Sequence, residues 1–203
     1  MKTLIIDYGM GNLFSVLRAF EKSGADVSLI NDPNDLKYAD HLVLPGVGAF
    51  PDAMRVLSDR GWKEELDKAV LIDKIPILGI CLGMQLFAEQ SCEICETKGL
   101  GYIKGKVVRL VEKDKERIPH VGWNNVDIVN QSPLFKGINS GRDFYFVHSY
   151  HFVADDMENV LATTPYCGGF VSAVGNGNVF GTQFHPEKSQ KSGACIIKNF
   201  IGL

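Results

Sequence analysis

The chain has 203 residues, 45% of them hydrophobic and 22% charged, with a formal net charge of −3. That is the balance of a soluble globular protein long enough to bury a sizeable core, and it offers no basis for binding nucleic acid or a membrane surface. No window approaches the roughly 18 apolar residues of a membrane span. Five cysteines, an odd count in a chain that needs no disulfide staples, favour reduced thiols and a cytoplasmic setting. The opening "MKTLIIDYGMGNL" carries an apolar run too short for a signal peptide, ended by Asp7.

In chain order, "TLIID" (3–7) reads as a strand, followed by Gly9 and Gly11. Residues 12–22 carry Leu13, Val16, Leu17 and Phe20 at helical spacing, and Gly24 closes that helix. "DVSLI" (26–30) and "HLVLP" (41–45) are the next strands. Residues 51–73 are helical in pattern, opened by Pro51 and broken near Gly61. "IPILGI" (75–80) is a buried strand, with a helix over 82–90. These apolar runs are strand-length and continuous, as in a parallel sheet covered on both faces. The second half changes character: "KGKVVRLV", "NNVDIVN", "DFYFVHSYHFV", "NVLATT", "GFVSAV" and "NVFGTQF" are short, β-branched and aromatic. They read as antiparallel strands and hairpins, with a tight turn at "GNGN" (175–178) and a closing helix over 191–201. With no repeats or long linkers, residues 1–203 read as one α/β domain. Its core is a doubly wound, mostly parallel sheet with flanking helices, and an antiparallel region is added to it.

The stretch "LGICLGMQLF" places Cys81 between Gly79 and Gly83, where a strand ends and a helix opens. This is the arrangement of the nucleophile elbow G-x-S-x-G. A strained turn pushes the side chain out of the sheet, and the glycines let strand and helix approach. The helix N-terminus favours thiolate, and the Leu82 N–H is available to an oxyanion. By itself so short a motif fits a buried structural cysteine equally well. The base decides it. "QFHPEKS" carries His185 and Glu187 just past a strand, and residues i and i+2 of an extended chain point the same way, so Glu187 can orient the imidazole. Cysteine, then His-x-Glu about 100 residues later, suits acyl transfer through a thioester. A third piece, "LPGVGAF" (44–50), allows backbone N–H groups from Gly46 through Val47 to Gly48 to turn toward an oxyanion.

Together, P-G-V-G, G-I-C-L-G-M-Q and H-P-E resemble the class I (triad) glutamine amidotransferases, in order and spacing across nearly the whole chain. The resemblance implies that L-glutamine is the substrate, with Cys81, His185 and Glu187 catalytic. Gln85 matches a position that helps hold glutamine, and Gly48 matches the oxyanion loop. Ser149 and Tyr150 of "VHSY" match a loop gripping the amino-acid end. "DYGMGNL", "IPHVGWN", "FYFVHSY" and "FHPEKS" look like the glutaminase subunits of imidazole glycerol phosphate synthases. There Asn12, Trp123 and Lys188 match positions facing a (β/α)8 cyclase barrel. The partner takes ammonia to make imidazole glycerol phosphate and aminoimidazole carboxamide ribotide in histidine biosynthesis. A chain ending at Leu203 leaves no room for a synthase domain of its own. A paralogous subunit feeding another synthase, such as a surface-glycan sugar amidotransferase, would keep every motif. A stand-alone cysteine hydrolase or a non-catalytic scaffold would not need them all.

Other residues invite function and give little. Cys92-x2-Cys95 is half a zinc site without a second pair, and reads as a surface loop. "GMG" (9–11) has Phe14 where a dinucleotide loop needs its third glycine. No cofactor or metal is expected. His148 and His151 should point to opposite faces of an extended run. "EKDKER" (112–117) reads as a hairpin tip, and His120 as a core or interface residue. Cys167 and Cys195 read as fill.

Overall fold

The computed structural model describes residues 1–113 and 115–203. The chain opens with β1 (Lys2–Ile6), α1 (Leu13–Lys22), β2 (Asp26–Ile30) and β3 (His41–Gly46), close to their expected places. Two helices follow, α2 (Phe50–Asp59) and α3 (Trp62–Asp67), divided at Gly61 with φ 72°. That left-handed conformation suits glycine. After a π turn at Lys68–Ile72, β4 (Ile77–Cys81) runs straight into α4 (Leu82–Gln85).

The helix expected over 82–90 is therefore only one turn long. Its successors spend their carbonyls elsewhere: Leu86, Phe87, Ala88 and Glu89 accept from the N–H groups of Leu100, Ile103, Gly101 and Gly99. These long-range bonds replace the i→i+4 ladder of a continuing helix. Gly99 makes the approach possible, because a Cβ there would lie 2.1 Å from the Ala88 oxygen.

The remaining strands are β5 (Gln90–Ser91), β6 (Thr97–Lys98), β7 (Gly105–Arg109), β8 (His120–Ile128) and β9 (Arg142–His148). Then come β10 (Tyr150–Ala154), β11 (Val160–Thr164), β12 (Phe170–Asn176) and β13 (Val179–Thr182), before α5 (Gln190–Ile201) closes the chain. The sheet order is β2-β1-β3-β4-β13-β12-β10-β7-β5-β6, with a branch from β12 through β11 and β8 to β9. The first five are mutually parallel. Here the structure corrects the reading of the second half as antiparallel throughout. β13 turns back from β12 as a hairpin strand, yet its other edge pairs in parallel with β4. β7 also lies parallel to β5.

Alternate residues of the parallel strands feed two cores, as a doubly wound sheet requires. Leu4, Ile6, Leu42 and Leu44 pack with α2 and α3 residues such as Phe50, Leu57 and Trp62. Ile5, Val43, Leu78 and Ile80 pack with Val16 and Phe20 of α1 and Ile196 and Phe200 of α5. The strands that flank 112–117 do not form the expected hairpin, since β7 pairs with β10 and β5 while β8 pairs with β9 and β11. Asp114 of that run lies outside the described residues. Among the described residues no helix is long and apolar enough to cross a membrane.

Candidate active site

Cys81 ends β4 with φ 54° and ψ −108°, a strained backbone for an L residue. Packing enforces it. A Cβ at Gly79 would stand 2.6 Å from the Phe87 ring and 2.7 Å from the Gly83 backbone, and one at Gly83 would stand 1.8 Å from the Leu44 oxygen. Cys81 is 7% exposed and lines a cavity of about 300 Å³. With α4 a single turn, few aligned peptide dipoles face the sulfur, so the helix contributes less than the sequence implies.

His185 reaches the same cavity from the neighbouring strand. β13 and β4 are in register from Val179↔Ile77 to Thr182↔Ile80, so the residues past both ends emerge together. The His185 backbone is pinned by its N–H to the Tyr145 carbonyl (2.9 Å), while Ser189 Oγ donates to its carbonyl (2.6 Å). Its Nδ1 lies 2.8 Å from Glu187 Oε1, a carboxylate 1% exposed. The geometry behind this pair differs from the extended i, i+2 reading, because Pro186–Lys188 form a 3-10 turn that brings the carboxylate back. His185 Nε2 is buried and has no hydrogen-bond partner among the described residues. Burial pulls this imidazole down, but the Cys81 sulfur and the Glu187 carboxylate outweigh it and push its pKa up to about 9.

The cavity is lined by Val47, Gly48, Cys81, Leu82, Gln85, Glu93, Val147, His148, Ser149, Tyr150 and His185. Nearly every residue singled out by sequence for substrate or oxyanion contact is therefore on one wall or another. Gly46 ends β3 opposite Cys81 in the ladder, and Gly48 has φ 102°. Met10 caps this loop, its Cε being 3.0 Å from where a Gly48 Cβ would be. Gln85 donates from Nε2 to the Tyr150 carbonyl (2.9 Å) and to Gln183 Oε1 (2.9 Å). Gln183 in turn donates to Cys81 Sγ at 3.6 Å.

Two participants escaped the sequence reading. Gln183 precedes the H-P-E motif without any pattern of its own. Glu93 sits inside the Cys92-x2-Cys95 loop, where attention falls on the cysteines, yet its Oε2 accepts the Phe50 N–H (2.9 Å) and its carboxylate faces the cavity. Burial raises its pKa. Cys92 and Cys95 themselves are exposed, and Cys167 and Cys195 are half-buried. His148 and His151 do not diverge: the strand breaks at Ser149, alternation lapses, and both rings pack on Phe170.

Of the residues matched to a partner face, Trp123 is 47% exposed on β8 and stacks edgewise on Tyr145 of β9. Lys188 Nζ lies 5.5 Å over the same ring. Asn12 is exposed at the start of α1, in a loop whose Gly11 packs toward Pro45 beside Gly46.

A cysteine on a strained elbow, and an imidazole braced by a carboxylate on the same small cavity, are the parts that acyl transfer by a cysteine nucleophile requires. Residues 4–202 match the family "Glutamine amidotransferase class-I", and the chain belongs to that family. More narrowly, it is similar to proteins named imidazole glycerol phosphate synthase subunit HisH. It is 50% identical over 201 residues to subunit HisH 1 of Campylobacter jejuni (strain RM1221), covering 98% of each chain. With the HisH subunit of Pelagibacter ubique (strain HTCC1062) it shares 43% identity over 208 residues, covering 100% of both. Among solved structures, that of PurLQS from Thermotoga maritima superimposes with a TM-score of 0.78 at 20% identity, covering 99% of this chain and 97% of that one, a likeness of fold.

Proposed function

We propose that this chain is a single glutaminase domain, residues 1–203, that hydrolyses L-glutamine and delivers the ammonia to a (β/α)8 cyclase subunit in a heterodimer. The observation that carries this reading is the meeting of Cys81 and His185 on one cavity, with Nδ1 of His185 held by Glu187 and Nε2 left free. The Cys81 sulfur, as thiolate, attacks the side-chain carboxamide carbon. The oxyanion that forms takes N–H groups from Leu82 and from the Val47–Gly48 loop. His185 as imidazolium gives its proton to the departing nitrogen, and a γ-glutamyl thioester remains. Acylation removes the negative charge that held His185 protonated, so burial then pulls the ring toward neutrality. It is thereby ready to take a proton from the attacking water, and glutamate leaves. Gln85, Ser149 and Tyr150 hold the amino-acid end, and the Glu93 carboxylate suits an α-ammonium.

Support for the partner comes from the HisH relatives and from the exposed Trp123, with Lys188 beside it and Asn12 near the oxyanion loop. Ammonia is largely protonated near neutral pH and then no nucleophile, so a sealed route to the acceptor preserves it. Docking at this face would order the 46–48 loop for catalysis, a shift of population by the partner. Products of the complex would be imidazole glycerol phosphate and aminoimidazole carboxamide ribotide, in a cytoplasmic setting that suits five unpaired thiols. Pull-down from native lysate followed by a glutamine-dependent cyclase assay tests the acceptor, and recovery of a different synthase would replace it. Cys81→Ser should abolish glutamine-dependent turnover while ammonia-dependent turnover by the partner persists. Full glutaminase activity in that variant would remove the reading.

A further inference from the structure

Two histidines buried beside the cavity take no part in the chemistry above. His120 of β8 and His148 of β9 stand opposite each other in the ladder. The His120 ring is stacked between Tyr166 (centroids 3.9 Å apart) and Phe146 (4.8 Å). Burial pushes His120 down to about 4 and His148 to about 3, so both are neutral near pH 7. A neutral imidazole has one donor and one acceptor nitrogen, and here the surroundings dictate which is which.

His148 Nδ1 lies 2.8 Å from the Tyr150 carbonyl oxygen, which can only accept. The His148 proton is therefore on Nδ1, and its Nε2 is an acceptor. His120 Nδ1, 3.1 Å from that Nε2, must donate. His120 Nε2 is left to accept from Asn124 Nδ2 at 3.3 Å. The Tyr150 oxygen takes its second hydrogen bond from Gln85, whose other amide hydrogen goes to Gln183, which donates to the Cys81 sulfur. Both amide hydrogens of Gln85 are thus committed, leaving only its carbonyl oxygen for a ligand in the cavity it lines. One run of donors thus goes from Asn124, next to the exposed Trp123, through both rings to the Tyr150 carbonyl, and a second starts at Gln85, which shares that carbonyl, and ends at the sulfur.

We propose that His120 and His148 are a neutral relay, each locked in the Nδ1–H tautomer, which fixes the Tyr150 carbonyl and through it Gln85 and Gln183. His120, which does not line the cavity, is then a positioning residue for glutamine. The proposal rests on the glutaminase reading of the cavity for its kinetic arm, but its tautomer arm does not.

Two substitutions separate the relay from packing. His120→Phe keeps the ring stack and removes the donor. His120→Asn places an amide nitrogen where Nδ1 stood. In steady-state glutamine hydrolysis by the full chain, His120→Phe should raise KM about tenfold, the worth of one hydrogen bond, with kcat within about threefold. His120→Asn should return KM to within about threefold of the unaltered protein. A wild-type KM in His120→Phe, or equal impairment in both variants, overturns the relay. Should His120→Phe fail to fold, long-range proton–nitrogen spectra of the unaltered, histidine-labelled protein still decide. Protonated Nδ1 and bare Nε2 on both rings, unchanged between about pH 6 and 8, are expected. A proton on Nε2 of either ring overturns the proposal. Loss of the glutaminase reading would show instead as undiminished turnover in Cys81→Ser, leaving the spectra untouched.

Discussion

Gly83 lies so close to Leu44 that a Cβ on it would stand 1.8 Å from the Leu44 carbonyl oxygen. The elbow and β3 therefore meet backbone to backbone, and the position of Cys81 relative to the Gly46–Gly48 loop depends on that contact. Gly83→Ala must push strand and turn apart. It should cost about 2–4 kcal/mol of stability and lower kcat/KM for glutamine by about 100-fold or more, because a shift near 1 Å at a reacting atom is that expensive. Urea unfolding together with a glutaminase assay checks both, and a variant with native midpoint and native rate would contradict the packing argument.

Glu187→Gln keeps the shape beside His185 and removes the charge. With that support gone, burial pulls the ring down, so the alkaline limb of kcat/KM should move below its native position near pH 9. The rate itself should drop about 10²–10⁴-fold, by analogy with triads whose carboxylate is neutralised. The sign for stability follows. A histidine whose folded pKa exceeds its unfolded value of 6.5 adds stability that is fully present below 6.5 and lost as pH rises through about 9. Glu187→Gln should shrink that loss. pH–rate and pH–melting profiles of the two proteins test it, and superimposable alkaline limbs would refute the role given to the carboxylate.

Alkylating Cys81 with iodoacetamide mimics the thioester by removing the sulfur's charge. His185 should then titrate well below about 9, since the sulfur is among the groups holding it up. Histidine NMR before and after alkylation reports this directly. An unmoved titration would mean that the imidazole does not sense the sulfur, and the acid-then-base scheme would fail.

Trp123→Ala removes an exposed ring and should leave the unfolding midpoint nearly unchanged, within about 0.5 kcal/mol. Affinity for the barrel should fall by about 2 kcal/mol or more, roughly 30-fold, as for an aromatic anchor at an interface. Calorimetric titration of the barrel into each protein measures the difference. Glutaminase rates with and without barrel should also converge in the variant. Unaltered affinity would place the docking face elsewhere.

The parallel half of the fold was legible because its apolar runs and its glycine punctuation are local signals; Gly61 and Gly24 fall where helices end. That Cys81 and His185 deserve attention was legible for the same reason, each lying in a short motif, and the structure brings both to one cavity. What stayed hidden is long-range. Nothing local distinguishes β13 as a strand with an antiparallel neighbour on one edge and a parallel one on the other. The truncation of α4 depends on carbonyls meeting residues 99–103, and apolar periodicity cannot report that. Gln183 and Glu93 meet partners far away in sequence, so residue type alone gave them no prominence, and His120 and His148, though each was noticed, carry no local signal of their pairing.

The ladder that keeps β13 in step with β4 acts as a ruler for the reactive groups. Slippage by one residue would turn every side chain of β13 to the opposite face, carrying the base out of reach. A gradual drift is not available, so wear on the molecule, whether by heat or by accumulated substitutions at its rim, should leave the chemistry intact until the sheet itself gives way. Activity and melting curves would then fail together, at one temperature, and not in sequence.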